Sequence, residues 1–191
     1  MEKTQLKLNF DRPQGKPGQG PRTPRKAHSP KLETSARKEE LLHFLEHKED
    51  RLTHYRQGKT RYCALYALAM LEGLDPKHVI KIAKKTVSGT RTRYNGRFWQ
   101  IHRAYVRLGY HFPFDRIPDP DTQRTRDVDP GQFSGKGHVR IQKRRTSQSG
   151  HQACYKNGMV YDSSRVGPQP AGLYLTVTIR KRYHYIIIKP Q

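Results

Sequence analysis

Four side chains, Gln57, Cys63, His151 and Asp162, follow one another in an order that suits thiol chemistry. A cysteine thiolate is the strongest nucleophile among the ordinary side chains, and it needs a base and an orienting partner, usually distant in sequence. Cys63 heads an apolar run, Cys63-Ala64-Leu65-Tyr66-Ala67-Leu68, that reads as the start of a helix. A thiol there feels the positive end of the helix dipole, and Lys59 and Arg61 stand just upstream. Both effects favour the thiolate. The same run equally fits a cysteine that belongs to the core.

The base and its partner come from a hairpin. Asn157-Gly158 is the preferred pair for a tight type I′ turn, and closing it sets Lys156 opposite Met159, Tyr155 opposite Val160, Cys154 opposite Tyr161 and Ala153 opposite Asp162. Because successive strand residues alternate faces, His151, Ala153, Tyr155, Val160 and Asp162 share one side and Cys154 points to the other. His151 and Asp162 become diagonal neighbours with backbones about 7–8 Å apart, within reach of an imidazole–carboxylate contact. An acid there fixes the tautomer and orientation of the ring; a solvated hairpin carrying a surface His and Asp is the competing reading. Gln57, six residues before Cys63, offers an amide that can join the Cys63 backbone N–H around an oxyanion. His138 and His184 are rival bases without an acid so placed.

The elements that must position these groups change character along the chain. Residues 1–32 are rich in Pro, Gly, Lys and Arg, with no hydrophobic face, and are expected to be a disordered basic tail. Its Arg22, Arg25 and Lys26 suit either a solvated leader or a polyanion-binding arm. A folded domain is expected over 33–191, opened by a leading helix at 33–56 whose apolar stripe runs from Leu41 to Tyr55. His43 and His47, four apart on that helix, lack a third ligand at recognisable spacing, so no metal is assigned. Helices are expected over 62–72, ended by Gly73, from Asp75-Pro76 to Lys85, and over 96–108, closed by Gly109. A surface connection fills 113–135. Strands are expected at 138–143, 151–163 and 172–188, the last with Leu173, Leu175, Val177 and Ile179 on one face. Helices first and antiparallel strands after give an α+β fold.

This arrangement resembles the papain-like cysteine peptidases, in particular compact bacterial and phage members such as the bacteriocin-processing domains of peptide exporters. The likeness covers about residues 55–190. It rests on Gln57, on Cys63 with its Ala/Leu helix, on Leu108-Gly109-Tyr110, and on Gly150-His151, Gly158 and Asp162. The resemblance implies a helical half, with the cysteine at the start of its central helix, packed on an antiparallel sheet that carries the histidine. It also implies roles: Gln57 at the oxyanion, Cys63 as nucleophile, His151 as base and Asp162 as orienting residue. No cofactor is expected.

Composition bounds the setting. Lys and Arg number 38 against 16 Asp and Glu, a formal charge of +22, which attracts polyanions such as DNA, RNA or a ribosome. Arg91, Arg93, Tyr94 and Arg97, and again Lys143, Arg144 and Arg145, mix or cluster cations as nucleic-acid surfaces do. Two cysteines are too few for a disulfide scaffold, the first residues lack the apolar core of a signal peptide, and no apolar run approaches a membrane span. A cytoplasmic setting, or a virion if phage-encoded, follows as the expectation. Two function classes remain: a thiol hydrolase acting on a peptide or other amide in nucleic-acid-rich surroundings, and a non-catalytic basic protein, nucleic-acid-binding, ribosome-binding or part of a nucleoprotein particle, on the same scaffold.

Overall fold

The computed structural model describes residues 51–58, 60–87, 93–179 and 183–191. The basic tail, residues 33–50 of the leading helix, and the cations Arg22, Arg25, Lys26, Lys59 and Arg91 lie outside the described residues. Among the described residues three ten-residue helices, α1 (Cys63–Glu72), α2 (Pro76–Lys85) and α3 (Phe98–Arg107), precede the sheet. Gly73 ends α1 in the left-handed conformation at φ 64°, and Asp75 caps α2 by accepting from the Lys77 backbone N–H. These are the boundaries that glycine and Asp-Pro chemistry dictate.

α1 is apolar all round because it is covered on two sides. Leu65, Leu68 and Ala69 pack with α2 and α3, through Val79, Ala83, Ala104 and Tyr105. Ala67, Met70 and Leu71 pack against the sheet, on Cys154, Met159 and Tyr161. A helix enclosed in this way has no solvent stripe to present.

Six strands form one antiparallel sheet: β1 (Gln123–Arg124), β2 (Lys136–Gln142), β3 (His151–Lys156), β4 (Met159–Tyr161), β5 (Gln169–Pro170) and β6 (Tyr185–Pro190). Their spatial order is β1-β6-β2-β3-β4-β5. The molecule is therefore α+β, helices first. The β3–β4 register, Cys154 with Tyr161, Tyr155 with Val160 and Lys156 with Met159, is the one the Asn157-Gly158 turn requires. Asn157 and Gly158 both hold positive φ, as a type I′ turn demands.

Three expectations fail. The stretch from 172 is not a continuous strand: Ala171–Leu173 is a helical turn (α4) that continues as a π-type helix over Tyr174–Ile179, and only Tyr185–Pro190 joins the sheet. The helices cover one face of the sheet. The other carries Val139, Ile141, Ala153, Tyr155 and Val160, and this helical segment covers it with Ala171, Tyr174, Leu175 and Ile179. Burying that face outweighs the β preference of the Leu-Thr-Val-Thr run, and Val177 is left 55% exposed. At the other end, Arg51–Tyr55 is not helical. It runs beside the end of β4, where the Leu52 N–H donates to the Tyr161 hydroxyl (3.3 Å), and a strand-side partner of this kind replaces the helical one. The 113–135 connection is also less superficial than its Pro, Asp and Gly content implies, since Phe114, Val128 and Phe133 are buried.

A candidate thiol–imidazole–carboxylate site

Cys63 is the first residue of α1, so its sulfur lies beside backbone N–H groups that no helical carbonyl satisfies. Burial pushes the thiol up. A hydrogen bond and the charge of His151, with N–H donation from Gln152 and Ala64, outweigh burial and bring Cys63 below the ordinary thiol value. Arg61, expected to assist, is exposed and is not among the groups that lower it. Solvent screens a cation so placed, whereas the imidazole and the two amides act at contact.

His151 joins the nucleophile to the acid. Its Nε2 lies 2.7 Å from Asp162 Oδ1, which leaves Nδ1 as the ring nitrogen for Cys63. Burial lowers the imidazole, but hydrogen bonds to Asp162 and Cys63 and their charges raise it to about 10. By alternation His151 belongs to the face of Ala153 and Tyr155, whereas α1 packs on the face of Cys154 and Tyr161. The two meet because His151 is the first residue of β3 and stands at the rim of the sheet.

Asp162 is the most heavily bonded group of the site. Oδ1 accepts from His151 and from both the backbone N–H and the hydroxyl of Ser164, at 2.8 and 2.7 Å. Oδ2 accepts from the Tyr174 hydroxyl at 3.0 Å. Burial raises this carboxyl, yet the bonds from His151 and Ser164 hold it at about 2. Ser164 was legible as part of an Asp-x-Ser turn, in which the carboxylate bonds the backbone two residues on. Tyr174, read as strand, carried no such signal.

Gln57 is fixed by its backbone, whose N–H donates to the Ser163 carbonyl at 3.0 Å, one residue beyond Asp162. His54 Nε2 bonds the Asp162 carbonyl at 3.0 Å on the same edge. Gln57 and Cys63 line one cleft of about 360 Å³ with His151, Gln152, Arg140 and the 95–96 turn. Gln57 Oε1 is buried without a partner, so the amide N–H₂ is the donor this side chain offers. Gln100, fully buried, braces the opposite wall: its Oε1 accepts from the Asn95 and Arg97 backbone at 2.9 and 3.2 Å, and its Nε2 donates to Arg93 O. A Gln at the third helical position, reaching back to the helix start, is the signal that could have found it. Gly96, at φ 75°, lies so close to the Arg61 carbonyl that a Cβ would sit 2.8 Å from it.

The rival groups are elsewhere. His138 is buried against Tyr105 and Phe114 and lowered to about 4 by burial. Cys154 is fully buried and its thiol is pushed up, chiefly by burial. His184 lines a second cleft of about 470 Å³ with Arg124, Arg126, Lys143, Arg144, Arg145 and the aromatic Tyr183 and Tyr185, Tyr183 also lining the first. Of the other cations expected to meet nucleic acid, Arg93 and Arg97 are exposed near the 95–96 turn, on the side of the Cys63 cleft rather than with this group. Their neighbour Tyr94 packs on Tyr62, with ring centroids 5.4 Å apart.

No protein-family model, curated protein or solved structure matches the chain. Among the described residues no helix is long and apolar enough to cross a membrane.

Proposed function

We propose that the chain is a thiol hydrolase of papain-like type, cleaving a peptide or another amide. The observation that carries this reading is the unbroken Cys63–His151–Asp162 relay, in which thiol and imidazole are both displaced toward their charged forms. The thiolate attacks the carbonyl carbon, and the carbonyl electron pair moves to oxygen beside the Gln57 amide and the Cys63 N–H. His151, as imidazolium, gives its Nδ1 proton to the leaving amine as the C–N bond breaks. The neutral ring then takes a proton from water, which attacks the thioester and returns Cys63 as thiolate. Asp162, held by Ser164 and Tyr174, keeps the ring in register throughout.

An acyl donor needing no recognition tests this. p-Nitrophenyl acetate should give a burst of about one nitrophenolate per chain, with the acetyl group on Cys63 by mass spectrometry. The burst should vanish in Cys63→Ala; a burst that survives in that variant overturns the reading.

A second reading has its own observation, the cleft where Arg124, Arg126, Lys143, Arg144 and Arg145 surround Tyr183, His184 and Tyr185. Cations around aromatic faces suit a single-stranded polyanion. We propose that this cleft holds nucleic acid, either beside the hydrolase or as the principal function. Affinity for a mixed-sequence oligonucleotide should fall steeply between low and moderate salt. It should weaken when Lys143, Arg144 and Arg145 are replaced together by Ser, and salt-independent binding would count against it.

A further inference from the structure

One cation in the cleft is buried without an ion pair at contact distance, although the charges of Cys63 and Asp119 act on it. Arg140 sits in the middle of β2, 4% exposed, beneath the strand that carries His151. Its Nη2 donates to the carbonyls of Gln148 (2.7 Å) and Ser147 (3.4 Å). The guanidinium carbon lies 5.3 Å from the Phe98 ring centre and 5.9 Å from that of Phe114. Nε has no partner, and Gly150 lies directly over it, close enough that a Cβ there would approach within 3.3 Å. No carboxylate among the described residues forms an ion pair with Arg140.

Carbonyls and aromatic faces soften the loss of hydration but do not neutralise the charge, and an unpaired buried ion costs several kcal/mol. Arg140 lines the cleft with Cys63 and His151, and the described lining contains a second cation, Arg61, and no Asp or Glu. Thiolate and imidazolium cancel and the Asp162 carboxylate stands behind the ring, outside the cleft lining, so Arg140 is the buried cation on the cleft's own side.

We propose that Arg140 is an anion subsite of the cleft, selecting a substrate that carries a carboxylate beside the carbonyl Cys63 attacks. This rests on Cys63 being the reactive thiolate, and two alkylating agents separate the two ideas. Iodoacetamide and iodoacetate react alike: the thiolate forms a C–S bond, the C–I bond breaks and iodide leaves. Only iodoacetate is an anion. The iodoacetamide rate alone reports the thiolate; the iodoacetate-to-iodoacetamide ratio reports the field.

In the intact chain the ratio at Cys63 should exceed one at low salt. Arg140→Met should lower it about five- to tenfold, the size expected for one cation acting across a partly desolvated cleft. Arg140→Lys should keep most of it, which shows that charge rather than loop packing is read. The His151 imidazolium attracts iodoacetate in every variant, so the difference isolates Arg140. Should Arg140→Met not fold, protection of wild-type Cys63 from iodoacetamide decides. Acetyl-aspartyl amide or a peptide with a free C-terminus should protect, while acetyl-asparaginyl amide should not. Which carboxylate protects better identifies a side-chain or a chain-end anion. A ratio below one in the wild type, a ratio unchanged in Arg140→Met, or equal protection by the Asp and Asn amides would each overturn the subsite. A slow, ordinary-thiol iodoacetamide rate would instead overturn the hydrolase reading beneath it.

Discussion

The molecule holds two cysteine–histidine neighbourhoods with opposite electrical characters. At the rim, Cys63 and His151 are displaced toward thiolate and imidazolium. In the interior, His138 and Cys154 are direct cross-strand partners on β2 and β3, and both are displaced toward neutrality. Burial opposes charge in both places. The rim pair has what the interior pair lacks: a carboxylate held by Ser164 and Tyr174, and backbone N–H groups turned on the sulfur. His138 Nδ1 is buried with no partner at all. Residue type therefore says little about reactivity here, and the third partner says nearly everything.

The largest expected contrast is between the thiols. Brief iodoacetamide treatment of the folded chain at neutral pH should label Cys63 at least roughly 10²-fold faster than Cys154, which reacts only when its strand opens. Cys63→Ala should abolish the fast phase and Cys154→Ala should leave it intact. Preferential labelling of Cys154, followed by peptide mapping, would reverse the comparison.

Removing the base should come next. The thiolate–imidazolium pair exists from the lowered Cys63 value up to the raised His151 value of about 10. The wild-type alkylation rate should thus level off at a lower pH than that of an ordinary thiol and stay level until pH approaches 10. In His151→Ala the thiol should titrate higher than in the wild type, so the rate at pH 6 should fall and then rise about tenfold per pH unit until the thiol ionises. A flat profile in this variant would mean that the helix start and the Gln152 amide suffice without the imidazole.

The two histidines should also leave opposite marks on stability. His138 is lowered to about 4, so its contribution is complete above about 6.5, where the unfolded ring is also neutral. It is lost as pH falls from there toward 4, by up to roughly 3 kcal/mol. His151 is raised, so its contribution is complete below about 6.5 and fades as pH rises toward 10. Urea denaturation of His138→Leu should show a flatter acid limb than the wild type with an unchanged alkaline limb. A variant whose acid limb keeps its slope would assign that sensitivity elsewhere.

How much of this was legible in the chain depended on how local the cause was. The Asn157-Gly158 turn and strict alternation together set the His151–Asp162 diagonal, because a two-residue turn leaves one register. Glycine and Asp-Pro signals placed α1 and α2 for the same reason. Failures occurred where the cause was distant. Leu173 to Ile179 alternates as a strand does, yet becomes helical and packs, beside Val128 and Phe133, on the second face of the sheet. Arg140 alternates with Val139 and Ile141, and nothing near it in the chain shows that the helical half roofs that face and buries it. Neither roof is written near the residues it covers.

The smallest expected effect tests the most distant of those causes, the tyrosine that the helical segment brings to Asp162. Tyr174 donates to Asp162 Oδ2, with Arg165 Nε 4.0 Å away as the other neighbour of that oxygen. Tyr174→Phe keeps the ring in its buried slot and removes only the donor. The loss of one buried hydrogen bond to a charged group should cost about 1.5–3 kcal/mol of stability, because the oxygen keeps its desolvation and loses its compensation. Asp162 should become easier to protonate, so inactivation in acid should begin at higher pH. Turnover at neutral pH should fall only a few-fold, since Ser164 still holds Oδ1 and His151 keeps its partner. A full drop to the His151→Ala level would make Tyr174 indispensable to the relay. Unchanged stability and an unchanged acid limb would mean that the rim pair owes its charge to Ser164 and the strand amide, and that the helical roof is only a roof.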